Sequence, residues 1–227
     1  MTNRELIYMI LDQARMVTDD ISLNEEHVLF LANRARAALL TQKYKTMKLE
    51  VLDANYQVLC IGLTENRVGS ECAGDSVLVS KVKVPNRLNI GNDLVTPYNY
   101  LKGTNISLIP IERMRYVGFN KFLKNIIYAA IGHDGYLYMK SLNPMFKYMQ
   151  NAKITAVFED AIAASELECY NTCEVWDRTF PIEDTLVSSM IERVVKETVG
   201  AAYRPKDDRN NANDDSDKAL VTNSNNK

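Results

Sequence analysis

Residues 55–65 read NYQVLCIGLTE, and here the apolar spacing changes from a helical to a strand-like period. The run is rich in apolar and β-branched residues and is bounded by turn formers, so it reads as a strand. Residues 76–85, SVLVSKVKVP, read the same way, with Val77, Val79, Lys81 and Lys83 on one face and Leu78, Val82 and Val84 on the other. Residues 125–140, NIIYAAIGHDGYLYMK, have the form of a β-hairpin turning at His133-Asp134-Gly135, and KITAVFED (153–160) adds a further strand. Together they predict a small mixed or antiparallel sheet of about four to six strands.

Helical patterns flank this region on both sides. Thr2 and Glu5 form a capping box, after which Leu6, Ile10, Ala14 and Val17 recur at helical spacing. Ser22 and Glu25 form a second, and Val28, Leu31, Ala32, Ala35 and Leu39 continue one face to about Leu40. Two helices joined by a short loop make an αα-hairpin. A third helix follows CYNTCEVWDRTFPIED (169–184), with Leu186, Met190, Val194 and Val195 on its apolar side, and ends near Tyr203 because Pro205 forbids continuation. The predicted class is α+β. Its expected parts are an N-terminal helical hairpin (1–48), a central β-rich lobe (49–172), a C-terminal helix packed on the first two (173–203) and an extended arm (204–227).

The bulk composition excludes several classes. Apolar residues are 46% and charged residues 25% of 227, enough for a substantial core. A net charge of −2 provides no global field for nucleic acid. No apolar run reaches membrane-spanning length, and MTNRELIYMI at the start reads as a capped helix rather than a signal peptide, so the chain is expected to stay in a cytosol-like compartment. The four cysteines, Cys60, Cys72, Cys169 and Cys173, lack zinc-knuckle spacing and read as free thiols in a reducing setting.

Catalytic signatures are absent: no phosphate-binding loop, dinucleotide fingerprint, zinc-protease helix or nucleophile elbow occurs. No cofactor, metal ligand set or catalytic residue is assigned. His27 follows two glutamates in a helix start, and His133 is explained by its turn. The pairs Asp19-Asp20, Glu25-Glu26, Glu159-Asp160 and Glu183-Asp184 lie near helix N-termini, where the dipole favours negative charge. Arg34, Arg36, Lys43, Lys45 and Lys48 form a basic run that either touches phosphates or, more simply, is the solvated face and C-terminal end of a helix.

Two other stretches exceed what a minimal domain needs. Residues 85–105 carry two Pro, two Gly and five Asn, the composition of a functional loop, and include Tyr98 and Tyr100. Twelve tyrosines against six phenylalanines provide contact area with a polar handle, suited to protein interfaces as well as to half-buried sheet surface. The tail after Tyr203 alternates charge and amide with almost nothing to bury, so partner surfaces are expected to order it.

RELIYMILDQARMVTDDISLNEEHVLFLANRARAALLTQKYK (4–45) resembles the helical start of head-to-tail connector subunits of short-tailed phages. FPIEDTLVSSMIERVVKE (180–197), with GAAYRPKDDRNNANDDSD (200–217) after it, resembles virion structural proteins of crAss-like phages. The resemblance covers the two ends of the chain. It implies a non-enzymatic subunit of a homo-oligomeric ring, typically of about twelve copies, in the virion neck and made in the host cytoplasm. Its partners would be the portal and other ring proteins, with DNA passing through the channel, read without sequence specificity, and with no membrane involved. The arm would then latch onto portal or neighbour, with Tyr203 and Pro205 as anchor and Arg204, Asp207, Asp208, Asn210, Asn211 and Asn213 as contacts.

Overall fold

The structure, a computed structural model, describes residues 1–17, 23–47, 49–68, 75–97, 106–117, 121–123, 125–169 and 173–202. Helix α1 (Asn3–Val17) begins at the expected capping box: Thr2 N donates to Glu5 Oε2 at 2.8 Å and Glu5 N to Thr2 Oγ1 at 3.2 Å. Helix α2 (Glu25–Met47) runs two turns beyond the expected end at Leu40, since residues 41–47 hold no Gly or Pro to stop it. Its start is closed by Asn24, whose Oδ1 accepts from Glu26 N at 2.9 Å; the expected cap, Ser22, lies outside the described residues. Helix α4 (Asp184–Ala202) carries the anticipated stripe.

The three long helices share one core, in which Leu6, Ile7 and Ile10 of α1 meet Val28, Leu31 and Ala35 of α2 and Met190, Ile191 and Val194 of α4. The chain start is tied to the approach to α4: Asn3 N donates to Arg178 O at 2.9 Å and Phe180 N to Met1 O at 3.0 Å. Chain ends distant in sequence are thereby fixed to each other.

Among the described residues the sheet has seven strands rather than about four to six: β1 (Gln57–Val68), β2 (Asp75–Ser80), β3 (Leu94–Pro97), β4 (Ile106–Leu108), β5 (Ile127–Ile131), β6 (Leu137–Lys140) and β7 (Asn151–Ala156), in the order β3-β7-β1-β2-β6-β5-β4. Among the described residues only β4 and β5 pair in parallel. The terminal strands β3 and β4 lie beside each other, so the sheet curls into a near-closed barrel around Leu59, Ile61, Leu78, Ile127, Leu137, Met139 and Ile154. Long β1 makes this possible by changing partners: residues 57–62 pair with β7 and residues 63–68 with β2. The switch falls at Gly62, where an added Cβ would meet Lys81 Cδ at 3.2 Å. Turn residue Gly135 of the β5–β6 hairpin has φ +83°, as a left-handed position requires.

Three sequence expectations are corrected here. Strand β2 stops at Ser80, whose Oγ accepts from Leu137 N at 2.9 Å and donates to Val82 O at 2.8 Å, so the alternation does not carry through residues 81–84. The described part of the 85–105 stretch is structured: Arg87 pairs with Asp93 and bridges to Phe158, and β3 lies within it. Pro97 is tolerated because β3 is a terminal strand of the sheet order. Finally, Cys60 and Cys169 are disulfide-bonded rather than free thiols. Residues 167–169 add to the edge of β1 opposite β7 (Cys60 N to Leu167 O, 2.8 Å), which brings the two cysteines together and removes the support they gave for a reducing setting. Cys173 is an exposed thiol, and Cys72 lies outside the described residues.

Candidate functional site

The basic run on α2 does not form one face. Positions 34 and 45 fall within about 20° of each other around the helix and positions 36 and 43 on the opposite side. Arg34 and Lys45 are exposed. Arg36 is fully buried, which removes it from any phosphate-facing set. Its guanidinium donates to Pro181 O, to Phe158 O at 2.8 Å and to Asn55 O at 3.3 Å, joining α2 to three otherwise separate segments. Burial pushes its pKa down to about 10, against the raising effect of Asp160, so it stays protonated at neutral pH.

Lys43 faces the same interior side. Its Nζ donates to Glu183 Oε1 at 2.6 Å, while Tyr44 OH donates to Glu183 Oε2 at 2.8 Å and Asn55 Nδ2 donates to Tyr44 OH at 3.2 Å. Burial raises the Glu183 carboxyl, but the bonds from Lys43 and Tyr44 outweigh it and hold the group below its ordinary range. Asn33, in the middle of the apolar face of α2, donates to Asp160 Oδ1 at 2.9 Å and accepts from Ala161 N at 3.0 Å. Asp160 also caps the five-residue helix α3 (Ala161–Ser165). These polar groups hold the helical layer onto the barrel, and they explain Glu183 and Asp160 without catalysis.

No cluster of three or more His, Cys, Asp or Glu able to hold a metal occurs among the described residues, and none of the described helices is long and apolar enough to cross a membrane. His27 stacks near Phe30, and exposed His133 sits 3.3 Å from Glu112. Neither histidine has a nucleophile or a second ligand beside it among the interactions described.

Two surface features are of a kind that binds other macromolecules. The first is a cleft of about 1300 Å³ between α2, residues 82–88, the β5–β6 turn and α3. Its floor is apolar (Ala37, Ala38, Val82, Val84, Leu88), its rim carries exposed Glu159 and Glu166, and Phe30 stands on α2 at its edge, 58% exposed. The second is a pocket of about 290 Å³ formed by Ile109, Arg113, Tyr116, Val117, Leu123, Tyr128 and Leu142. Three of its lining side chains are exposed, Tyr116 at 74%, Leu142 at 45% and Leu123 at 41%. Sequence reading did not single out these residues. The available signal was Phe30 on the polar side of α2 and the interleaving of Arg113, Arg115 and Tyr116.

Lys48, Tyr98, Tyr100, Tyr203, Arg204, Pro205, Asp207, Asp208, Asn210, Asn211 and Asn213 lie outside the described residues.

Comparison with known proteins gives a consistent result. The model of a family described as "Phage tail ring protein 2" matches residues 5–216. A relative named Ring protein 2, from Bacteroides phage crAss001, is 47% identical over 221 residues, covering 95% of this chain and 98% of that protein.

Proposed function

This chain belongs to the phage tail ring protein 2 family, a structural component of the virion tail, and we propose that it is a ring-forming head-to-tail connector that acts by assembly rather than catalysis. About twelve copies would surround the DNA channel below the portal, each contacting the next through the same pair of surfaces, so that the ring closes at a definite number. Residues 204–227 would latch onto the portal or a neighbouring copy.

The observation that supports this reading is the reach of the family match to residue 216, so that part of the polar sequence after α4 belongs to what the family shares. The arm holds five Lys or Arg and five Asp from Arg204 onward, a balance suited to a polar protein groove rather than a phosphate backbone. A knitted body of helices and barrel suits a subunit that must hold its shape in a ring.

The test is co-assembly with the cognate portal protein, followed by native gel and negative-stain microscopy. The full chain should join the portal, and a variant ending at Pro205 should fold with the same circular dichroism yet fail to join. Normal joining by the truncated chain would refute the latch. The family's description as a tail ring favours one other arrangement, a lower ring or stopper that never touches the portal; there the full chain would close into rings but ignore the portal. Exposed Arg34 and Lys45, on one side of α2, motivate a nucleic-acid reading, which predicts salt-sensitive duplex binding lost when both are neutralised.

A further inference from the structure

The cleft and the pocket carry features that complement each other. The cleft rim presents Glu159 and Glu166, both exposed, beside an apolar floor and the exposed ring of Phe30; its two cations, Arg34 and Lys83, are engaged by Glu197 and by the Tyr136 ring. The pocket is lined by aliphatic and tyrosine side chains together with exposed Arg113, and Arg115, also exposed, lies two residues further along the same turn. Among the described residues, Glu159, Glu166, Arg113 and Arg115 make no ion pair, whereas Lys43, Arg87 and Lys196 each do. The two features also lie toward opposite ends of the β5–β6 hairpin. Its turn, residues 133–135, lines the cleft, while Tyr128 near the start of β5 and Leu142 beyond the end of β6 line the pocket. A head-to-tail contact needs two different, complementary patches on one molecule.

We propose that a second copy of this chain occupies each of these features: Phe30 of one copy seats in the Ile109–Tyr116–Leu142 pocket of the next, with Glu159 and Glu166 of the first facing Arg113 and Arg115 of the second. The inference rests on the ring reading above and adds to it the surfaces that close the ring. Phe30 is the aromatic anchor, a residue type that carries binding energy when it fills a desolvated pocket. The carboxylate–guanidinium pairs set orientation, since each arginine offers a fork of donors to a carboxylate. The pocket volume of about 290 Å³ is large enough to admit one aromatic ring. A nucleic acid is the less suitable occupant of the pocket, because four of its seven lining residues are aliphatic and a single lining arginine, Arg113, forms no track for a backbone.

The test uses the full-length chain with circular dichroism to confirm folding, and sedimentation velocity to read assembly. Phe30→Ser and the pair Glu159→Arg with Glu166→Arg should each weaken self-association at least about tenfold. Arg113→Glu with Arg115→Glu should weaken it similarly, and mixing the two charge-reversed chains should restore a hetero-assembly that neither forms alone. Independently, a photoreactive phenylalanine at position 116 should cross-link to a second copy within residues 27–42 or 159–167. A ring that survives all three changes, or cross-links found elsewhere, overturns the docking while leaving the ring reading intact. A wild-type chain that stays monomeric and gives no intermolecular cross-link overturns both. Loss of duplex binding, rather than of assembly, in the Arg113/Arg115 variant would assign the pocket to nucleic acid and overturn the proposal.

Discussion

Replacing Arg36 tests how the helical layer is joined to the barrel. The side chain is fully buried and reaches the carbonyls of Pro181, Phe158 and Asn55, which belong to the lead into α4, the segment after β7 and the turn before β1. Methionine at this position fills much of the volume but leaves three carbonyls without their donor, each costing about 1–3 kcal/mol when no water reaches it. Relief from burying a guanidinium returns several kcal/mol of that. The contact at 3.3 Å is the weakest of the three, so the net loss should be about 3 kcal/mol. Arg36→Lys keeps the charge but cannot spread donors over three directions and should lose about 2 kcal/mol. Urea unfolding can be followed through Trp176, the single tryptophan, which packs against the helical core. With a slope of about 2.5 kcal/mol per molar, the Arg36→Met midpoint should fall by about 1.2 M. A fall below about 0.4 M, or an Arg36→Lys variant indistinguishable from wild type, would refute this joining role.

Three further outcomes follow from the same structure. Glu183 has a folded pKa below its unfolded value, so its stabilisation is present above the unfolded pKa, near 4.5, and is lost as pH falls through the depressed folded value. Glu183→Gln should therefore lower stability by about 1–2 kcal/mol at pH 7, and its deficit relative to wild type should shrink below pH 4; equal acid sensitivity with no loss at pH 7 would contradict this. Cys60→Ser opens a link spanning 109 residues and should cost about 2–5 kcal/mol, and non-reducing peptide mapping of wild type should recover the 60–169 pair; two free thiols there would show the bond does not form. At Gly91 an added Cβ would sit 2.4 Å from Tyr56 OH, which accepts from Asn92 N at 3.1 Å, so Gly91→Ala should lose about 1–3 kcal/mol by calorimetry, and an unchanged Tm would disprove the contact.

The features legible in sequence were those written in local patterns. Thr2 and Glu5 announce a helix start through contacts three residues apart, and His133-Asp134-Gly135 marks its turn through backbone requirements alone. Strands β3 and β4 were missed because each is short, and pairing with β7 and β5 rather than alternation defines them. Arg36 was read with its neighbours as a surface cation, since a one-dimensional run does not say which helical side meets carbonyls contributed from more than a hundred residues away. The disulfide was equally invisible, because Cys60 and Cys169 meet only after residues 167–169 have added to β1. The polar sequence after Tyr203 and the Asn-rich stretch 85–105 stood out by composition, whereas Phe30 and Tyr116 became interface candidates only when exposure could be read.

Native mass spectrometry of the purified full-length chain over a range of concentrations tests the central claim most directly. A single closed oligomer of fixed copy number, persisting on dilution and binding the cognate portal, is the predicted result. An open ladder of oligomers without a preferred size, or a monomer that stays monomeric with the portal present, would contradict the connector account.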